Sequence, residues 1–128
     1  MKLVGRVEDG QGDLNNWMKK YSKEYELKAQ TPLYPGSLNL RTDTVFRFYS
    51  PEHQDQVIRM DKSEYGGERH ILLLPCFCNG VKAFLWRTER WELGHFGEEE
   101  LKLLEVLSPV KLREHLDIVN GDDVEITF

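Results

Sequence analysis

The chain has 128 residues, a formal net charge of −5 at pH 7, 40% hydrophobic residues and two cysteines. That length allows one domain with a real core, and the sequence has neither an apolar run long enough to span a bilayer nor a charged-then-apolar leader, so a cytoplasmic protein is expected, with one domain over residues 1–128 and no membrane partner. The acidic balance argues against a general nucleic-acid partner, which needs a basic surface to neutralise phosphates, but a few local donors suffice for a single nucleotide.

Residues 2–7 alternate, with Leu3, Gly5 and Val7 set against Val4 and Arg6, which predicts a first strand. The loop Asp9-Gly10-Gln11-Gly12-Asp13 follows. Glycines two apart let backbone N–H groups approach an anion closely, although an ordinary turn has the same composition. Asp9 and Asp13 would repel phosphate unless a cation lay between. Leu14, Trp17, Met18, Tyr21 and Tyr25 fall on one face of a helix over 14–28, with Asp13 or Asn15 available as its cap.

The stretch from Pro32 to Leu40 comes next. Pro35-Gly36 is a turn signal, because proline presets its φ and glycine accepts a positive one. Beyond it Leu38 and Leu40 point one way while Ser37, Asn39 and Arg41 point the other. A hydroxyl and an amide side by side suit a hard cation that keeps water and phosphate oxygens, the usual magnesium arrangement. A turn into an ordinary amphipathic strand is the alternative.

Thr44 to Tyr49 reads as a strand, Val57 to Met60 as a short one, and Gly66-Gly67 as a hairpin turn within the charged segment 61–69. Ile71 to Cys78 and Val81 to Trp86 read as strands joined by Asn79-Gly80, a strong hairpin signal. Cys76 and Cys78 share a face and are expected as small buried hydrophobes; with only His70 close by, C-x-C is a weak metal signal. Two cysteines without a leader suit a reducing compartment. Arg87 to Glu100, with Trp91, His95 and Phe96, reads as an exposed charged loop, with partial folding over the site as the alternative. Residues 101–109 fit a helix or a strand. Glu105 sits inside that apolar run, either facing solvent or held for a purpose, since an unpaired buried charge is costly. Val110 to Leu116 reads as a short helix after Pro109, whose N-terminus, with Lys111 and Arg113, suits a phosphate. Asn120-Gly121-Asp122 is a turn, and residues 123–128 a final strand. Many short strands and few helices suggest a small closed β-barrel.

The order of these segments is more specific than any one of them. Gly5-x-Val7-x-x-Gly10-x-Gly12, then Tyr34-Pro35-Gly36-Ser37-Leu38-Asn39-Leu40, then Glu105-Val106-Leu107-Ser108-Pro109-x-Lys111-Leu112-Arg113-Glu114, then Asn120-Gly121-Asp122-x-Val124, resembles the archaeal-type CTP-dependent riboflavin kinase family from Gly5 to Ile126. The resemblance implies a mainly β fold, a six-stranded Greek-key closed barrel of the cradle-loop kind with short helices. It implies transfer of the γ-phosphoryl of CTP to the ribityl 5′-hydroxyl of riboflavin, giving FMN and CDP. It assigns nucleotide binding to Gly10, Gln11, Gly12 and Asp13 and to Val110, Lys111, Leu112, Arg113, Glu114 and His115. It assigns magnesium to Ser37 and Asn39, and places Glu105 at the flavin, where it becomes the candidate catalytic group. The implied partners are these small molecules, with no nucleic acid, for a chain expected to be a monomer. Leu14 stands where the family loop often has a third glycine, and a threonine that the family sets before the Glu105 strand has no clear counterpart. A barrel that binds flavin or nucleotide without turnover is therefore the alternative.

Overall fold

A computed structural model describes residues 1–10, 12, 14–94 and 97–128. Among the described residues seven strands carry the fold: β1 (Lys2–Glu8), β2 (Leu38–Thr42), β3 (Ile58–Met60), β4 (Ile71–Cys78), β5 (Val81–Thr88), β6 (Leu103–Leu107) and β7 (Asp123–Thr127). Their order is β3-β4-β5-β6-β2-β1-β7, and β7 pairs back onto β4. All pairs are antiparallel. Six strands thus close into the expected barrel, and β3 is an additional strand beside the first half of β4. Asn79 and Gly80 take positive φ of 45° and 82°, as the tight β4–β5 hairpin requires.

Burial explains why some strands alternate and one does not. In β1, residues Leu3, Gly5 and Val7 face in and their neighbours face out. Ile71 to Leu74 of β4 are all buried because both faces are covered: Leu72 and Leu74 belong to the barrel interior, Ile71 and Leu73 to a second apolar cluster. That second cluster packs Leu14, Met18 and Tyr25 of two helices, α1 (Leu14–Lys20) and α2 (Ser22–Ala29), against the outside of the wall. Alternation returns beyond Pro75, with Cys76 and Cys78 both buried as free thiols. Burial pushes them up, Cys76 to about 12 and Cys78 to about 11. Among the described residues no helix is long and apolar enough to cross a membrane.

Several local expectations are corrected. The helix over 14–28 is two helices that break at Tyr21, and Asn15 lies inside the first turn rather than at its cap. The segment from Thr44 to Tyr49 is not a strand. It crosses one end of the barrel, where Phe46 and Phe48 plug the core and backbone N–H groups find a carboxylate instead of a neighbouring strand. Gly66-Gly67 makes no tight hairpin. Asp61 caps a single helical turn, α3 (Lys62–Tyr65), by accepting from Ser63 N at 3.0 Å, while Glu64 accepts from Asp61 N at 3.0 Å, and Gly66 ends the turn with φ 77°. Residues 87–93 are not an exposed loop: Arg87 and Thr88 complete β5, and α4 (Glu89–Leu93) follows with Glu92 buried, whereas residues 97–99 are exposed and outside helix and strand. Residues 103–107 resolve as strand β6, and the helix after Pro109 is one turn, α5 (Leu112–His115).

Candidate active site

Register builds the site on the outer face of the wall. Trp86 of β5 lies opposite Glu105 of β6, Glu105 opposite Asn39 of β2, and Asn39 opposite Glu8 of β1. Directly opposed residues share a face, so these four side chains form one row across four strands. Two cavities open along this row. The first, of about 370 Å³, is bounded by Tyr34 to Asn39, by Glu105 and by Val110 to Arg113. The second, of about 460 Å³, is bounded by Arg41, Trp86, Thr88, Trp91, Leu103 and Glu105. Both are in the size range of small-molecule sites. Gly10, Gly12, Asn39 and Glu105 line both, so they form the border between them.

Glu105 is half-buried, and Ser37 Oγ donates to its Oε1 at 3.2 Å. Burial raises its pKa above the usual carboxylate value, a shift only partly offset by the Ser37 hydrogen bond. Against the two readings the sequence left for this carboxylate, it lies on the outer face of the wall yet is half-buried and hydrogen-bonded to Ser37. Asn39 is covered by the glycine loop so closely that a Cβ on Gly10 would stand 2.3 Å from its Nδ2, whereas one on Gly12 would meet nothing within 4 Å. A hydroxyl, an amide and a carboxylate therefore meet at the border. Among the described residues no group of three or more His, Cys, Asp or Glu could hold a metal. The donors that do meet are neutral or singly charged oxygens, which suit magnesium that keeps most of its ligands from water and phosphate.

The cations behave differently from one another. Lys111 is exposed and pairs with Glu114 at 3.2 Å; that hydrogen bond raises its pKa. Its ammonium also lies 6.0 Å from the centre of the Tyr34 ring. Arg113 Nη2 donates to Glu8 O at 3.2 Å and to Asn120 Oδ1 at 2.8 Å, and Asn120 Nδ2 donates to Asp9 Oδ1 at 2.9 Å. Arg113 thus anchors the base of the glycine loop while bordering the first cavity. Of the remaining expected residues, Val110 and Leu112 also border it, Leu112 with its side chain in the barrel core; Glu114 and His115 are exposed and outside its lining. Gln11 and Asp13 lie outside the described residues, as do His95 and Phe96. Leu14 borders the first cavity but is buried in the cluster under α1 and α2, where it packs with Met18 and Tyr25.

The residues that sequence reading did not assign to the site are Arg41, Trp86, Thr88, Trp91 and Leu103 of the second cavity. Trp86 read only as a strand residue, and Trp91 as part of a loop. Each indole N–H is held: Trp86 Nε1 donates to Tyr25 Oη at 2.9 Å and Trp91 Nε1 to Glu100 O at 3.2 Å. The outward parity of Trp86, between inward Leu85 and Arg87, was the available signal.

Comparison with known proteins bears on this geometry. The family model for the CTP-dependent riboflavin kinase domain, described as a domain of unknown function (DUF120), matches residues 7–128. The chain is 30% identical over 131 residues to a riboflavin kinase of Archaeoglobus fulgidus, covering 98% of this chain and 54% of that protein. It is 31% identical over 131 residues to one of Methanocella arvoryzae, covering 98% and 56%. It is 30% identical over 131 residues to one of Methanococcus vannielii, covering 98% and 96%. The chain therefore spans little more than half the length of the first two relatives and nearly all of the third.

Proposed function

The chain belongs to the CTP-dependent riboflavin kinase family, and we propose that it transfers the γ-phosphoryl of CTP to the 5′-hydroxyl of riboflavin, giving FMN and CDP. One observation carries this reading: a cavity bordered by Lys111 and Arg113 and a cavity bordered by Trp86 and Trp91 meet at Gly10, Gly12, Asn39 and Glu105. Phosphoryl transfer asks a protein for two substrates in line and for charge stabilisation, with little covalent chemistry. In this reading the nucleotide occupies the first cavity and the flavin ring the second. The reacting oxygens then meet at the border.

The roles follow from the neighbours. Gly10 and Gly12 let the loop backbone approach the phosphates, and Lys111 offers an exposed ammonium to their oxygens. Arg113 holds the loop in place through Glu8 O and Asn120. Ser37 and Asn39 would hold magnesium, which would supply positive charge to offset that of the phosphates. Glu105 orients the ribityl hydroxyl and accepts its proton as the oxygen attacks phosphorus. Its burial strengthens it as a base and weakens it as an anion at low pH.

The test is incubation of the protein with riboflavin, magnesium and either CTP or ATP, with FMN read by chromatography. FMN formed with CTP and not with ATP is the expected result. Flavin binding without FMN under any nucleotide would replace the kinase by a binding-only barrel.

A further inference from the structure

Among the described residues the buried polar side chains are Thr42, His53, Arg87, Glu92 and Ser108, and of these Arg87, 3% exposed, and Glu92, 2% exposed, form an ion pair. Their contact is short, 2.7 Å from Nη1 to Oε1. The guanidinium also donates to Phe46 O at 2.8 Å and to Leu101 O and Leu103 O at 3.3 Å each, and lies 4.9 Å from the centre of the Phe48 ring. The carboxylate accepts from Phe48 N at 3.1 Å and Tyr49 N at 3.2 Å. Every group in this cluster is satisfied, but that does not explain its charge. A buried pair is replaced by apolar residues in other proteins with little or no loss of stability, so stability alone does not call for one here.

What the pair joins is more telling. Arg87 follows Trp86 in β5, Glu92 follows Trp91 in α4, and Leu103 begins β6. Trp86, Trp91 and Leu103 all border the second cavity, as does Arg87, whose side chain is only 3% exposed. Thr88 links the first two segments again, since its hydroxyl accepts from Trp91 N at 3.1 Å. One buried guanidinium therefore ties together three of the segments that border the second cavity. We infer that the Arg87–Glu92 ion pair is a positioning device for the second cavity, setting Trp86 and Trp91 for a planar aromatic acceptor. The acceptor rests on the function proposed above; the positioning does not.

The test compares wild type with Arg87→Lys, which keeps the charge but loses the planar fork that reaches three carbonyls and Glu92. Glu92→Gln is the second variant. Riboflavin binding is read by quenching of flavin fluorescence, CTP binding by calorimetry, and the setting of the tryptophans by near-ultraviolet circular dichroism with the far-ultraviolet spectrum as a check on fold. The expected result is riboflavin affinity lowered on the order of tenfold, as for displaced binding groups. CTP affinity should stay within about twofold, as for a site that does not share the perturbed contacts. The near-ultraviolet signal should change while the far-ultraviolet one does not. A folded variant with wild-type riboflavin affinity and wild-type near-ultraviolet signal overturns the proposal. Loss of fold in both variants also overturns it, by assigning the pair to stability. If wild type itself ignores riboflavin while the near-ultraviolet signal still changes in the variants, the kinase reading fails and the positioning stands.

Discussion

Gly10→Ala is the most direct probe of the border between the cavities. The added Cβ would stand 2.3 Å from Asn39 Nδ2 and 2.9 Å from its Cγ, where ordinary contact begins at 3.4 Å. The Asn39 amide must therefore retreat by about 1 Å, and misplacement of that size at a reacting centre costs about a hundredfold in rate. The cost to folding is smaller, because the obstructing atoms end a flexible side chain: about 1 kcal/mol, the low end for overpacking. Gly12→Ala is the internal comparison. Its Cβ meets no protein atom within 4 Å, so its melting temperature should match wild type. The assay is FMN formation with CTP and magnesium, beside a thermal melt of all three proteins. A Gly10→Ala protein with wild-type turnover would refute the reasoning, since Asn39 could then move without consequence and would not sit at the reacting phosphate.

Other outcomes follow from the same geometry. Glu105→Gln should lower turnover about a hundredfold if the carboxylate takes the proton, and leave riboflavin binding largely intact. In wild type, kcat/KM for riboflavin should fall on the acid side with a midpoint above 4.5, the ordinary glutamate value, because burial raises this group. The sign for stability is opposite to that of a paired carboxylate: in the window from 4.5 up to the raised value the folded chain keeps a proton that the unfolded chain has released, so Glu105 lowers stability as pH rises through that window. Glu105→Gln should flatten this slope in pH-dependent melts. Lys111→Ala should raise KM for CTP and leave the melting temperature unchanged, since its pair with Glu114 is exposed. Asn39→Ala should raise the magnesium concentration needed for half-maximal turnover, and chelation should abolish turnover in wild type; activity that survives chelation would remove Ser37 and Asn39 from a metal role.

Much of the fold was legible because period-two alternation reports burial on one side of a wall. It marked β1, β2 and β7, and Asn79-Gly80 marked the β4–β5 hairpin. It misled at Thr44 to Tyr49, where apolar alternation reflects Phe46 and Phe48 plugging the barrel end rather than pairing in a sheet. Propensity cannot separate those cases, since both bury alternate side chains. Gly66-Gly67 misled for a related reason: a positive φ serves a helix C-cap as well as a hairpin.

The site was half legible, and the dividing line is physical. Ser37 and Asn39 are two apart on one segment, so their shared face follows from the chain alone. That Asn39 faces Glu105, and Glu105 faces Trp86, depends on which strands become neighbours: β2 lies beside β6 only through a crossover of the chain. Arg87 shows that a stronger signal was present. It has the parity of Ala83 and Leu85, both inward residues of the same strand, so alternation alone points a charged side chain into the core. A charge there needs a partner, and Glu92, five residues on, is near enough in sequence to supply it. The reading of segment 87–100 as an exposed loop, or as one partly folded over the site, weighed its charge content and not the parity of the residue that opens it. Carried through, that parity would have folded the segment back on the barrel end and brought Trp91 to the wall beside Trp86.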